Sequence, residues 1–343
     1  MRTDDFSEIA SDFSKAARAV RDATIGALLA GGGALSGWPL RHRLFAATPS
    51  WVGSGQTVLI TGSSSGIGRA LALKSADAGA TVLLVARSET KLRELEREIV
   101  LSGGRACVYV ADLAAAESTE ALLGRIAADG IAIDVLVNNA GRSIRRAIGE
   151  SYERVHDYER TMALNYFGPV RLMLGLLPKM RTRGMGHVVN VSSAGVQMGT
   201  PLFSAYIASK AALDAFTRVA ASEASGDGVR FTTLHMPLVR TPMIEPTKEF
   251  RNIPALRPDE AADLVLRALV TRESHIGTRV AALFDLGHVV APEAVERMVS
   301  FGQRLVSGSA AARDLRRAAD PFSTADRDAR SRSADRRPIS PGA

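Results

Sequence analysis

One cysteine, Cys107, is all that the chain carries in 343 residues. No internal disulfide can form, and such thiol usage fits a reducing, cytoplasmic compartment. Histidine is scarce as well. The six, at 42, 156, 187, 235, 275 and 288, show no metal-ligand spacing, so no metal site is expected. Aromatic residues make up only 5% of the sequence and are not interleaved with a basic stripe. The formal charge of +7 is therefore a poor nucleic-acid footprint. Residues 311–343 alone hold eight arginines against five aspartates, and the rest of the excess is spread thinly. An uncharged run from Ala23 to Leu40 is interrupted by three consecutive glycines and Pro39, which argues against a spanning helix. Asp4 and Asp5 ahead of it are wrong for a secretory leader.

Apolar residues, at 46% against 23% charged, are ample for a sizeable core. Residues 1–53 form an N-terminal extension in which Phe6, Ile9, Phe13, Ala17 and Val20 follow helical spacing. Such a helix docks on the protein itself, on a partner or peripherally on a membrane surface. Residues 54–250 change rhythm. TVLIT (57–61), TVLLVA (81–86), ACVYVA (106–111), DVLVNN (134–139), HVVNVS (187–192) and VRFTTLHM (229–236) are short β-branched runs. Helical-period segments alternate with them, which predicts an α/β fold with a doubly wound parallel sheet and helices on both faces. Residues 251–308 read as a C-terminal helical extension, and 309–343 as a disordered tail poor in apolar residues.

The first strand runs into TGSSSGIG, in which Gly62, Ser64, Ser65, Gly66, Ile67 and Gly68 form a turn ahead of a helix. Glycines there allow backbone N–H groups to approach a pyrophosphate, although such a turn alone is weak evidence. The second strand ends at Ala86 and Arg87, where a site for NAD usually has an acid. An arginine there either pairs with a 2′-phosphate or is an ordinary solvated strand-end residue; NADP(H) is the preferred reading.

With NNAG (Asn139, Ala140 and Gly141 among them), Asn165 in LNYFG, Ser193 in VSS, and Tyr206 and Lys210 in YIASK, the chain resembles the short-chain dehydrogenase/reductase family. The resemblance implies a Rossmann-like sheet, a nicotinamide cofactor and a homo-oligomer. In that family Tyr206 is the proton donor, and Lys210 holds the nicotinamide ribose and lowers the phenol's pKa. Lowering it from about 10 to about 7 takes about 4 kcal/mol, which one cation at about 4 Å can supply at an effective dielectric near 20. Ser193 would hydrogen-bond the substrate oxygen, and Asn165 would position a water leading to Lys210. Asp112 and Leu113 would border the adenine, Asn139 would brace the central strands, and Pro237, Val239 and Thr241 would lie in the loop that contacts the carboxamide. Leu238 stands where many members have glycine.

A narrower resemblance runs through NNAGRSIRRA, HDYERTMALNYFG, MPLVRTPMIEPTK and on into RPDEAADLVLRALVTR. These strings are similar to bacterial long-chain fatty acyl-CoA reductases that form aldehydes. The implied substrate is an acyl-CoA, with the C-terminal helices walling an alkyl pocket. Arg142, Arg145 and Arg146 either meet coenzyme A phosphates or form a solvated basic loop. Cys107 is expected to be a buried, unreactive residue of the third strand. Two rival readings stay open: a reductase of 3-oxoacyl thioesters or other hydrophobic carbonyls, and a non-catalytic dinucleotide sensor. The full set of Asn165, Ser193, Tyr206 and Lys210 argues against the sensor.

Overall fold

In the computed structural model of the chain, residues 55–306 are described. The expected N-terminal helix and the tail from 309 lie outside them. Seven strands form one parallel sheet in the order β3-β2-β1-β4-β5-β6-β7. They are β1 Thr57–Thr61, β2 Thr81–Ala86, β3 Arg105–Val110, β4 Val135–Asn138, β5 Gly186–Ser193, β6 Val229–Met236 and β7 His275–Ile276. The helices are α1 Gly66–Asp77, α2 Glu89–Leu101, α3 Ala116–Ala128, α4 Val155–Met162, α5 Gly168–Arg183, α6 Ala194–Met198, α7 Ser204–Glu223, α8 Pro258–Thr271, α9 Arg279–Val290 and α10 Pro292–Val306. A π-helical turn, Ala163–Phe167, joins α4 to α5.

Both faces of a parallel sheet are covered, so its strands read as continuous apolar runs rather than alternating ones. Alternate residues of each strand then serve different layers. Leu59, Leu83, Leu136 and Val188 pack with Leu122, Leu172, Met173 and Leu213 of α3, α5 and α7. Their neighbours Val58, Ile60, Val82, Leu84 and Val137 are equally buried and point the other way. On that side α8 lies against α1. The chain beyond 250 thus adds α8 and the edge strand β7 to the same layers, and α9 packs on α6.

Strand order reverses between β1 and β4, and the crevice at their carboxyl ends is where ligands bind in such sheets. The loops after β1, β4 and β5 all open there. Among the described residues no helix is long and apolar enough to cross a membrane, and no cluster of three His, Cys, Asp or Glu could hold a metal ion.

Candidate active site

The turn after β1 is built on glycine for steric reasons. Gly62 has φ +70°, and a Cβ on Gly68 would stand 2.3 Å from the Gly62 carbonyl oxygen. Ser65 caps α1 without a side-chain hydrogen bond, and the first turn of α1 carries no acid. Its leading N–H groups are therefore free to face an anion, as a pyrophosphate cradle requires. A Cβ on Gly66 would meet Thr241 Cγ2 at 2.9 Å, so the segment after β6 closes on this turn. Val239 is buried and bridges Leu256, while Pro237 is half-buried where β6 ends.

Asn139 braces β4 against β1 as expected. Its backbone N–H donates to Thr61 Oγ1 and its side-chain amide to Thr61 O, both at 2.9 Å. The Ala140 N–H also donates to Thr61 Oγ1, at 2.9 Å. Asp112 accepts from the Ala114 N–H at 3.0 Å and donates its own N–H to Ser118 Oγ. Leu113 beside it is buried. Arg87 is exposed beyond β2 and has no partner among the described residues. These placements fit a dinucleotide, and Arg87 is an exposed cation just beyond β2.

The four expected catalytic side chains come from three elements, the π-helical turn, β5 and α7. Lys210, only 4% exposed, donates to Val191 O at 2.7 Å. A Cβ on Gly141 would stand 3.7 Å from Lys210 Nζ and 3.4 Å from Asn165 Oδ1, so glycine leaves this corner open. Asn165 is fully buried in the π-helical turn. Its Oδ1 accepts from the Arg142 N–H, and its amide donates to Arg142 O and Ser209 Oγ, each at 2.9 Å. Its polar atoms thus hold the strand-end loop. Ser193 ends β5, caps α6 by accepting from the Gly195 N–H at 3.1 Å, and faces Tyr206.

The electrostatics differ from the sequence expectation. Burial pushes the Tyr206 phenol up; Ser193 acts in the opposite direction and Asp214 adds to the rise. The Lys210 ammonium donates to Val191 O, and burial lowers its own pKa to about 8, against the raising effect of Asp214. For the phenol, burial therefore outweighs the Ser193 hydrogen bond. Of the three loop arginines, Arg145 pairs with Glu249 at 2.9 Å and Arg146 with the buried Asp157 at 3.0 Å. Only Arg142 lacks a side-chain partner among the described residues. Cys107 is partly buried on β3 rather than fully so, because this strand is at the sheet edge. The sequence reading missed Asp214 and His235, although Asp214 lies at i+4 from Lys210 on α7.

A cradle for phosphates beside a buried lysine, a phenol and a serine, at the switch point of a parallel sheet, defines a dinucleotide-dependent α/β oxidoreductase. The chain belongs to the short-chain dehydrogenase family, whose sequence model matches residues 56–252. It is 48% identical over 258 residues to a fatty acyl-CoA reductase of Acinetobacter baylyi, covering 75% of this chain and 88% of that one. A fatty acyl-CoA reductase of Mycobacterium tuberculosis is 44% identical over 247 residues, 72% of this chain and 84% of its own. A 3-oxoacyl-(acyl-carrier-protein) reductase structure from Agrobacterium tumefaciens with NADP bound is similar with a TM-score of 0.59 at 30% identity, over 65% of this chain and 90% of that one.

Proposed function

We propose that this oxidoreductase reduces a long-chain fatty acyl-CoA to the aldehyde with NADPH. The observation that carries the reading is the reach of the likeness to the A. baylyi enzyme. Its 258 aligned residues exceed the segment 56–252 matched by the family as a whole. More than a cofactor fold is therefore shared. Gly62, Ser64, Ser65, Gly66, Ile67 and Gly68 would hold the pyrophosphate, and Arg87 the 2′-phosphate. Asp112 and Leu113 would flank the adenine, Asn139, Ala140 and Gly141 the central part, and Pro237, Val239 and Thr241 the nicotinamide end. When bound, NADPH supplies a hydride to the thioester carbon.

The chain's own residues then handle the oxygen and its proton. Ser193 and Tyr206 hydrogen-bond it, and Tyr206 donates the proton. A phenol kept protonated by burial is in the form that a reduction needs. Lys210, with its pKa near 8, keeps positive charge close by at neutral pH, and Asn165 fixes the loop that walls the site. Collapse of the resulting hemithioacetal expels coenzyme A as its thiol, so no cysteine nucleophile is needed. Arg142 is the loop cation left for a coenzyme A phosphate.

The test follows thiol and aldehyde together while palmitoyl-CoA and NADPH are consumed. Equal amounts of thiol and aldehyde are expected, formed at least about 100-fold more slowly in Tyr206→Phe. Consumption of NADPH with a 3-oxoacyl thioester and no thiol release would overturn the reading in favour of a ketone reductase, which the likeness to the A. tumefaciens enzyme favours.

A further inference from the structure

Behind the Tyr206–Lys210 pair runs a line of titratable groups for which the reaction above has no use. Asp214 stands one turn beyond Lys210 on α7 and is 4% exposed. Its Oδ2 accepts from Ser192 Oγ at 3.0 Å and lies 2.8 Å from His235 Nε2. Its Oδ1 is buried with no hydrogen-bond partner. His235, buried on β6, places Nδ1 at 3.1 Å from His275 Nε2, with the two rings 4.5 Å apart. His275 lies on the edge strand β7 and is exposed. Three side chains from α7, β6 and β7 thus connect a buried carboxylate to the surface. Charged groups facing the outer imidazole are Asp285 of α9, which accepts from Gln197 of α6, and Arg218 of α7.

The contacts allow one proton order. With Asp214 as a carboxylate, which only accepts, His235 Nε2–H would point at it. Neutral His235 then accepts at Nδ1 from His275 Nε2–H. A proton arriving at His275 Nδ1 lets the Nε2 proton pass to His235 Nδ1. The result is neutral His275 and an imidazolium on His235 held against Asp214. One proton enters, one N–H bond forms at each ring, one breaks at His275, and no other reactant is required.

We propose that Asp214, His235 and His275 form a proton store behind the active site: a proton taken up at His275 comes to rest on His235 and cancels the negative charge that Lys210 and Tyr206 otherwise face. The three are positioning residues, and their role in turnover rests on Tyr206 being the proton donor. Asp214 raises both the phenol and the ammonium. Filling the store therefore makes Tyr206 a stronger acid and releases the Lys210 proton more readily. The proton-transfer step then quickens as pH falls through the titration of the histidine pair.

The test needs neither substrate nor cofactor for its first two readouts. Tyrosinate absorbance, taken as the difference between the protein and Tyr206→Phe, gives the phenol pKa. In Asp214→Asn it should fall by about one unit or more, the effect of removing one nearby charge in a partly desolvated setting. In His275→Gln it should stay where it is, because the Asp214 carboxylate is left in place. Ring 15N shifts of His235 and His275 should show one proton shared by the pair in the unmodified protein, and independent titrations in Asp214→Asn. With acyl-CoA, the acid-side rise in kcat should flatten in His275→Gln. An unmoved phenol in a folded Asp214→Asn variant, or independent histidine titrations in the unmodified protein, would overturn the proposal. Phenol and ring shifts as expected without acyl-CoA turnover would leave the store standing and remove the substrate assignment alone.

Discussion

Tyr206 stands in opposing fields: burial and Asp214 favour its neutral form, and Ser193 favours the ionised one. Removing the hydroxyl in Tyr206→Phe should cost about 10²- to 10⁴-fold in kcat, the usual contribution of a placed proton donor. The NADPH dissociation constant, read by fluorescence titration, should stay within about twofold. Arg87 gives a second prediction at this scale. An exposed guanidinium without a partner among the described residues is available to a phosphate, so Arg87→Glu should raise the KM for NADPH by about tenfold or more, since each tenfold step is only about 1.4 kcal/mol. The KM for NADH should not rise. Equal loss for both cofactors would take the 2′-phosphate away from Arg87.

At the scale of elements, α4 and its flanking loop are organised by one carboxylate. Asp157, almost fully buried, receives Arg146, Arg154 and Arg160. Arg154 leads the three arginines in holding the carboxyl down at about 2. The sign follows from that depression. The unfolded chain takes up this proton near its ordinary 3.8 and the folded one does so only near 2. The contribution is therefore complete above the ordinary value and is lost as pH falls towards 2. Asp157→Asn should lower the urea midpoint at neutral pH and lessen its acid dependence in that window. At the glycine turn, a Cβ on Gly68 meets a backbone oxygen that no rotamer can move. Gly68→Ala should therefore destabilise by about 1–3 kcal/mol, the usual cost of overpacking, and weaken NADPH binding by displacing the α1 N terminus.

At the scale of the whole molecule, His187 ties stability to pH. Burial first, then Arg272 and Arg230, lower its pKa from 6.5 to about 4, and its ring bonds Thr232 between β5 and β6. Between those values the unfolded chain binds the proton and the folded one does not, so stability rises with pH across that window. The loss below it is about 3 kcal/mol, and His187→Gln should flatten the curve. Self-association, expected from the family, has a candidate face on α5 and α7. A groove of about 500 Å³ there is lined by Leu174, Leu177, Phe216 and Val219, with Leu174 and Val219 more than half exposed. Leu174→Glu with Val219→Glu should give smaller particles in light scattering. Unchanged mass would move the contact elsewhere.

Much of the architecture was legible because burial on both faces writes strands as uninterrupted β-branched runs, and six of the seven strands were read within a residue or so. β7 was not, since two residues carry no period, and neither was the π-helical turn, where Asn165 interrupts an otherwise helical pattern. The sequence by itself determined the alternation of strand and helix, the glycines of the first turn, and the placing of Tyr206 and Lys210 four residues apart on one helix, all of which depend on local spacing. Tertiary structure alone decided that Lys210 turns to Val191, that Arg145 and Arg146 are held by Glu249 and Asp157, and that Asp214 meets His235 and His275. Those contacts join side chains from separate elements, and their energies depend on desolvation, which no local pattern of residues records.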